Sequence, residues 1–273
     1  MVRWWYRMQR IKRIFYPIKT IVIPFVIMIT LSIILSSIFK IIDFESNGFL
    51  IEFSKLKFNH PRRVSCIFLF LVLWVVYVKY NRSKNKEFAP SDIYGDYPIA
   101  IYYLAWLFSG YKKVNLKMKP IPLQFQLLNV NKLECFDDTE YQDKIYKYKV
   151  DHVGKLNQET SQINIIISDT YQIASDKIPK ELVGNYTIIL ARIGDKGIRV
   201  KSSKLIELLI KEIQSTKQYC KNYNLFLATP ASTNMSIFNQ VFHTMRDKFI
   251  INVYQQDNKN NFKFKNKPIK IRC

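Results

Sequence analysis

Side chains able to hold a phosphate or a base edge gather in two short stretches of this chain. The first is Ser168-Asp169-Thr170 and the second is Thr229-Pro230-Ala231-Ser232-Thr233-Asn234. Hydroxyls and amides, together with backbone N–H groups, hold phosphates and base edges, and an aromatic ring such as Tyr254 can stack on a base. Ser168, Asp169, Thr170, Thr229, Pro230, Ala231, Ser232, Thr233, Asn234 and Tyr254 therefore form the candidate ligand set. The same residue types also make caps and turns wherever they occur, so a purely structural role is the competing reading.

Support for catalysis is thin. His60, His152 and His243 lie far apart in the sequence, and His243 falls in a helical stretch where packing or exposure is expected. The sequence contains no HExxH, no GxGxxG, no Walker A motif and no serine elbow. Asp137-Asp138 is a carboxylate doublet. Adjacent residues on a strand or helix face different ways, so a solvated loop is expected there rather than a metal site. Cys66, Cys135, Cys220 and Cys273 include no CxxC pair, and reduced thiols are expected. The chain reads as a binding protein, with no catalytic residues and no metal.

The elements that would position the ligand set can be read from apolar spacing. Leu225–Ala228 is a run of strand length that Pro230 must end. Thr233 or Asn234 is the expected N-cap of a helix in which Met235, Phe238, Phe242, Met245 and Phe249 share one face. Ile250–Tyr254 is the next apolar run. Strand, turn, helix and strand make the repeating unit of a parallel sheet, which binds ligands at the carboxyl ends of its strands. Upstream, Ile163–Ile167 and Tyr186–Ala191 read as buried strands. Ser203 should cap a helix from Lys204 to Tyr219 with Leu205, Leu209, Ile213 and Thr216 inward. Pro120–Leu128 alternates as a strand would, Tyr97–Phe108 reads as a core helix closed by Gly110, and Phe262-Lys-Phe-Lys reads as a basic edge strand. Glu134–Asp151 is charged and tyrosine-rich, with little pattern.

Leu225-Phe-Leu-Ala-Thr-Pro-Ala-Ser232, a helix, and a strand ending Val253-Tyr254 resemble the C-terminal signature of SAVED domains. Ile163-Asn-Ile-Ile-Ile-Ser-Asp169 is similar to that family's earlier strand. A glycine usual near the end of the turn–helix segment stands here as Asn239. SAVED domains sense cyclic oligonucleotides in bacterial CBASS antiphage systems. The resemblance implies a Rossmann-like, CARF-like α/β sensor for such a ligand, made by a partner nucleotidyltransferase. It covers at most Phe88–Cys273.

The rest of the chain points to a membrane. Thr20–Phe39 carries no charge over twenty residues, enough as a helix to cross about 30 Å of hydrocarbon. A signal peptide is disfavoured, because the apolar core is long and no small-residue cleavage site follows. Pro24 should kink this helix, and Ser32 and Ser36 form a small-xxx-small pair suited to helix association. Val64–Val78 is a shorter apolar run flanked by Arg62, Arg63, Lys79 and Tyr80, which can anchor at the interfaces. Met1–Lys19 is basic without an acid, with Trp4, Met8, Ile11 and Phe15 on one stripe, which reads either as a helix lying on an anionic surface or as a basic flank that only fixes topology. The net charge of +21 favours an anionic partner, lipid headgroups or nucleotide phosphates. Basic residues before the first span and after the second place both termini in the cytoplasm by the positive-inside rule.

The expected architecture is a helical two-span hairpin followed by a cytoplasmic α/β domain. The anchor would occupy residues 1–80, with spans at about 20–42 and 62–80. A linker at 81–90 would lead to the sensor at 91–273. By resemblance the chain would be an effector of the bacterial inner membrane that binds a cyclic oligonucleotide, not DNA, assembles as a homo-oligomer and disrupts the membrane. A CRISPR-associated membrane sensor of oligoadenylate, a membrane-tethered enzyme and a scaffold remain alternatives.

Overall fold

A computed structural model describes residues 14–41, 61–89, 95–139, 141, 146–194, 197–199, 202–245, 247–257 and 262–273. Trp4, Met8 and Ile11 of the apolar stripe, the side chain of Ser36 and residues 42–60 lie outside the described residues. The chain divides into two compact units, Met1–Lys113 and Val114–Cys273.

The first unit is built on two long apolar helices. Ile18–Val22 is a π-helical turn that leads into α1, Ile23–Ile41. Pro24 has no N–H to offer the carbonyl four residues back, and the widened turn lies directly before it. Helix α2 runs from Pro61 to Ser83, with proline in the first turn where no N–H is needed. Ile14–Leu35 and Cys66–Ser83 are long and apolar enough to cross a membrane, and both are mostly exposed along their length. The two helices meet through side chains such as Phe25 and Phe70, ring centroids 5.2 Å apart and edge-to-face. Ser32 is fully buried within this unit, so its face of α1 is already used inside the hairpin.

Helix α3, Ile99–Ser109, also belongs to this first unit. Its apolar, aromatic surface needs an apolar neighbour, and the two long helices supply one. Trp74 Nε1 donates to the Phe108 carbonyl at 3.0 Å, and Asn81 Nδ2 to that of Ser109 at 2.7 Å. Gly110 closes α3 with φ +72, and a Cβ there would stand 2.6 Å from the Val78 carbonyl oxygen. Only glycine fits that close crossing. The described residues 81–89 and 95–113 thus belong to this first unit.

The second unit is a six-stranded mixed sheet. Its strands in chain order are β1 (Tyr148–Val153), β2 (Ile163–Ser168), β3 (Thr187–Arg192), β4 (Asn222–Ala228), β5 (Ile250–Val253) and β8 (Ile269–Arg272). A small hairpin, β6 (Gln256–Asp257) and β7 (Lys263–Phe264), intervenes. The spatial order is β8-β5-β4-β2-β3-β1, with the four inner strands parallel and both edges antiparallel. The chain starts the parallel set at β2, lays β3 on one side, then crosses to lay β4 on the other. The strand order therefore reverses at β2.

Three helices accompany the sheet: α4 (Ile121–Asn129), α5 (Ser203–Thr216) and α6 (Ala231–Ser236). The segment Pro120–Leu128 is a helix and not the expected strand. Proline at its start suits a helical first turn, and six of its nine residues are buried, so apolar–polar alternation was a poor guide. Ser202, one residue before the expected cap, accepts from Leu205 N at 3.3 Å and caps α5. Tyr223 of β4 packs on Phe242 and Phe249, and Phe125 of α4 on Phe238. Ile166, Phe226 and Ala228 face the other way, against Ile173, Ile178, Tyr254 and Phe264.

One polar row crosses this sheet. Asn164, Asn224 and Asn252 are aligned partners on β2, β4 and β5, and Thr187 on β3 lines up with Asn164. Asn224 Nδ2 donates to Asn164 Oδ1 at 3.0 Å, Asn252 Nδ2 to Asn224 Oδ1 at 2.9 Å, and Asn164 Nδ2 to Thr187 Oγ1 at 3.2 Å. Asn164 and Asn224 are fully buried, and each amide is paired in place.

Candidate ligand cleft

At the carboxyl ends of β2, β3 and β4 lies a cleft of about 480 Å³. It sits where the strand order reverses, the place where open parallel sheets leave a crevice between diverging loops. Thr170 follows β2, Gly197 and Arg199 follow β3, and Thr229, Pro230 and Ala231 follow β4; all line it. Tyr171 on the rim is 43% exposed, which leaves ring surface available to a ligand. The loops are stitched together by backbone. Thr170 N and Oγ1 both donate to the Ala228 carbonyl, at 2.8 and 2.9 Å, and Gly197 N donates to the Thr170 carbonyl at 2.7 Å.

Two segments outside the parallel set complete the wall. Lys117, Met118 and Lys119, with Ile121 and Gln124 of α4, form one side, and Asp137, Thr139 and Tyr141 another. Lys117, Lys119 and Arg199 bring positive charge to the walls; Asp137 brings a carboxylate. Asp137 Oδ2 accepts from Ser232 N at 2.9 Å and from the Tyr141 hydroxyl, and its Oδ1 accepts from Thr139 N at 3.0 Å. Burial, and then the Asp137 carboxylate beside it, push the Tyr141 phenol up. Lys117 Nζ lies 3.6 Å from Asp138 Oδ1. Asp137 is thus part of the cleft wall, while Asp138 beside it is exposed and reaches the cleft through Lys117.

The sequence-derived set divides into three groups. Thr170, Thr229, Pro230 and Ala231 line the cleft directly. Ser232, Thr233 and Asn234 sit in the first turn of α6, which begins at Ala231, earlier than the expected cap. Pro230 occupies the cap position and has no cap group, so Asp137 serves Ser232 N from a distant segment. Asn234, fully buried, accepts from Thr229 Oγ1 at 2.5 Å and donates to Gln124 Oε1 at 2.8 Å, locking the turn to α4. Thr233 Oγ1 is buried without a hydrogen-bond partner among the described residues. The helical course widens to a π-helix over Ile237–His243, which takes in Asn239.

The third group is internal. Ser168 Oγ accepts from Ile173 N at 3.1 Å and folds the chain after β2. Asp169 is buried with Arg192, its Oδ1 3.7 Å from the guanidinium Nε and 2.8 Å from the Tyr148 hydroxyl that donates to it. Burial pushes the Asp169 carboxyl up, while Tyr148 and Arg192 pull it down. Arg192 also stacks on Tyr146 and donates to the Ile198 carbonyl at 2.9 Å, fixing the loop that carries Arg199. Tyr254 is 5% exposed and stacks on Phe226 at 4.7 Å, inside the core. Its ring has no face left for a base. Sequence reading missed Lys117, Lys119, Asp137, Tyr141, Tyr171 and Arg199, since no shared motif marks residues drawn from separate segments. Among the described residues, no three His, Cys, Asp or Glu side chains are grouped to hold a metal.

No curated protein matches the chain. Solved structures similar to it include the Acinetobacter baumannii Cap4 SAVED/CARF-domain containing receptor with the cyclic trinucleotide 2'3'3'-cAAA, at 10% identity and a TM-score of 0.42. The same receptor with 3'3'3'-cAAA gives 12% and 0.41, and the receptor described without a trinucleotide gives 11% and 0.38. The matches cover 63% of this chain, which spans 42% of the receptor's length in the first two and 40% in the third. Likeness at this level assigns no residue of the cleft. The family comparison reaches much further along the sequence: residues 4–271 match the SMODS- and Ubiquitin system-associated 2TM effector domain, and the chain belongs to that family.

Proposed function

We propose that this chain is a membrane effector of antiphage defence whose cleft takes a cyclic oligonucleotide. The carrying observation is the cleft itself: a cavity at the reversal point of a parallel sheet, walled by Lys117, Lys119 and Arg199 with Tyr171 on its rim. Cations meet phosphodiesters, an exposed aromatic ring meets a base, and the hydroxyl oxygens of Thr170 and Thr229, whose protons are held within the loops, can accept from a base edge. Membership in a family of two-span effector domains supports a membrane output. Thr170, Thr229, Pro230, Ala231 and the Ser232 backbone would touch the ligand. Ser168, Asp169, Thr233 and Asn234 would hold the loops, and Tyr171 would take the stacking role first assigned to Tyr254.

In this reading a partner nucleotidyltransferase makes the ligand on infection. Ligand-bound chains gather as homo-oligomers in the bacterial inner membrane, and their clustered hairpins breach it. Basic residues flanking the apolar helices support cytoplasmic termini, which puts the cleft where the messenger is made.

Full-length protein in detergent, titrated calorimetrically with cyclic di-, tri- and tetranucleotides, tests this reading. At least one should bind. Arg199 is exposed, so Arg199→Glu should leave folding intact while weakening that binding by about tenfold or more. Unchanged affinity removes this cleft as the site. No binding by any cyclic nucleotide removes the sensor reading and brings a scaffold role forward.

A further inference from the structure

We infer that the acidic doublet Asp137-Asp138 is an internal stand-in for the ligand's phosphates, an autoinhibitory contact that a ligand must displace. The inference rests on the proposed nucleotide cleft. Both carboxylates hold groups suited to bind an anion. Asp137 Oδ2 takes the Ser232 N–H at the start of α6, at 2.9 Å. Asp138 pairs with the cleft lysine Lys117 at 3.6 Å.

A simple helix cap does not account for this arrangement. Caps normally come from the residue at the helix start, and here Pro230 fills that place without a cap group. The carboxylate comes instead from 95 residues away in the sequence. A cap also needs one acid, whereas the second acid of the doublet neutralises a lysine of the same cleft. Each phosphodiester of an oligonucleotide carries one negative charge and several acceptor oxygens. It can therefore replace a carboxylate at Ser232 N–H and another at Lys117 without leaving either donor unpaired.

Displacement has a mechanical consequence. Tyr141 and Thr139 are both bonded to Asp137, so a ligand that evicts this carboxylate frees these two residues of the cleft wall. The doublet thereby sets a threshold. A single weak anion must compete with two tethered carboxylates, while a ligand with linked phosphates replaces both at once.

Asn substitutions test the inference because they keep shape and acceptor oxygen while removing charge. Full-length Asp137→Asn, Asp138→Asn and the double variant are titrated in detergent with pyrophosphate and with cyclic di-, tri- and tetra-adenylate. Each single variant should bind at least one of these probes about tenfold tighter than the parent. The gain should shrink as salt is raised. Hydrogen exchange at 137–141 should rise when the parent binds. A merely structural carboxylate predicts a lower Tm with affinity unchanged or weaker, and that result overturns the inference. Cyclic-nucleotide binding by the parent without any gain in the Asn variants overturns the inference alone. Silence of parent and variants toward every probe overturns the cleft reading with it.

Discussion

The helical unit and the sheet unit solve the same problem in opposite ways. Both contain polar side chains surrounded by apolar ones. Along the first apolar helix and the turn before it, four hydroxyls turn back on their own helical course. Thr20, Thr30, Ser32 and Ser37 donate to the carbonyls of Tyr16, Val26, Met28 and Ile33, all four residues earlier. These four bonds ask nothing of a neighbouring element, which suits a helix that shows Val26, Ile27 and Ile33 outward; elsewhere the unit does reach across, as Asn81 and Ser109 do. In the sheet unit polar groups reach across strands and loops instead, as Asp169 does to Arg192 and Tyr148. Such bonds demand a fixed tertiary arrangement and give one in return. The two long helices carry the apolar outer surface that a membrane span needs, and the sheet unit holds loops still around a cleft.

Breaking a cross-loop bond should therefore cost far more than disturbing a helix surface. Asp169→Asn removes the charge opposite Arg192, whose side chain is fully buried, and should cost about 3–5 kcal/mol. Thermal unfolding of the full chain in detergent reads this directly. A drop in Tm no larger than that of a surface variant would show that the pair is not holding the β2 and β3 ends together.

The helical unit supplies the next contrast. Ser32 is fully buried between packed side chains, whereas Ile33 beside it is 53% exposed. Ser32→Leu should overpack the hairpin and cost about 1–3 kcal/mol, while Ile33→Leu should cost almost nothing. Equal effects in detergent would mean that the hairpin does not pack through this face. The smallest effect is expected at Asp247, where Lys217 and Lys221 hold the carboxyl down at about 2. Its contribution is fully present above the ordinary value of 3.8 and is lost as the pH falls through about 2. Asp247→Asn should barely move Tm at pH 7, and the difference from the parent should vanish near pH 2.

The sequence announced the inner strands well. Ile163–Ile167, Tyr186–Ala191 and Leu225–Ala228 are continuous apolar runs because both faces of a parallel sheet are covered, and β2, β3 and β4 fall there. The resemblance carried by Ile163–Asp169 and Leu225–Ser232 pointed to a two-span antiphage effector, and family membership bears that out. Edge strands hid themselves. Tyr148–Val153 mixes Lys149, Asp151 and His152 with apolar residues because one side of an edge strand meets water. The cleft was half legible, since a strand-end turn advertises Thr229–Ala231. Lys117, Asp137, Tyr171 and Arg199 carry no local signal, because strand order alone brings them together. The burial of Tyr254 was hidden for the same reason. A tyrosine at a strand end looks available until Phe226 and Phe264 are packed around it.

The row of Asn164, Asn224 and Asn252 acts as a folding proofreader. A parallel strand of isoleucines and leucines could slide along its neighbour with little change in apolar contact. A slip of one residue carries an amide into the apolar layer on the opposite face, and a slip of two sets it among Ile166 and Phe226. Each stranded amide costs about 1–3 kcal/mol, so out-of-step pairings are rejected while the sheet assembles. The alignment chosen there propagates along the strands and leaves Ser168 level with Ala228. The mouth of the cleft is thus calibrated from below by three amides that no ligand touches.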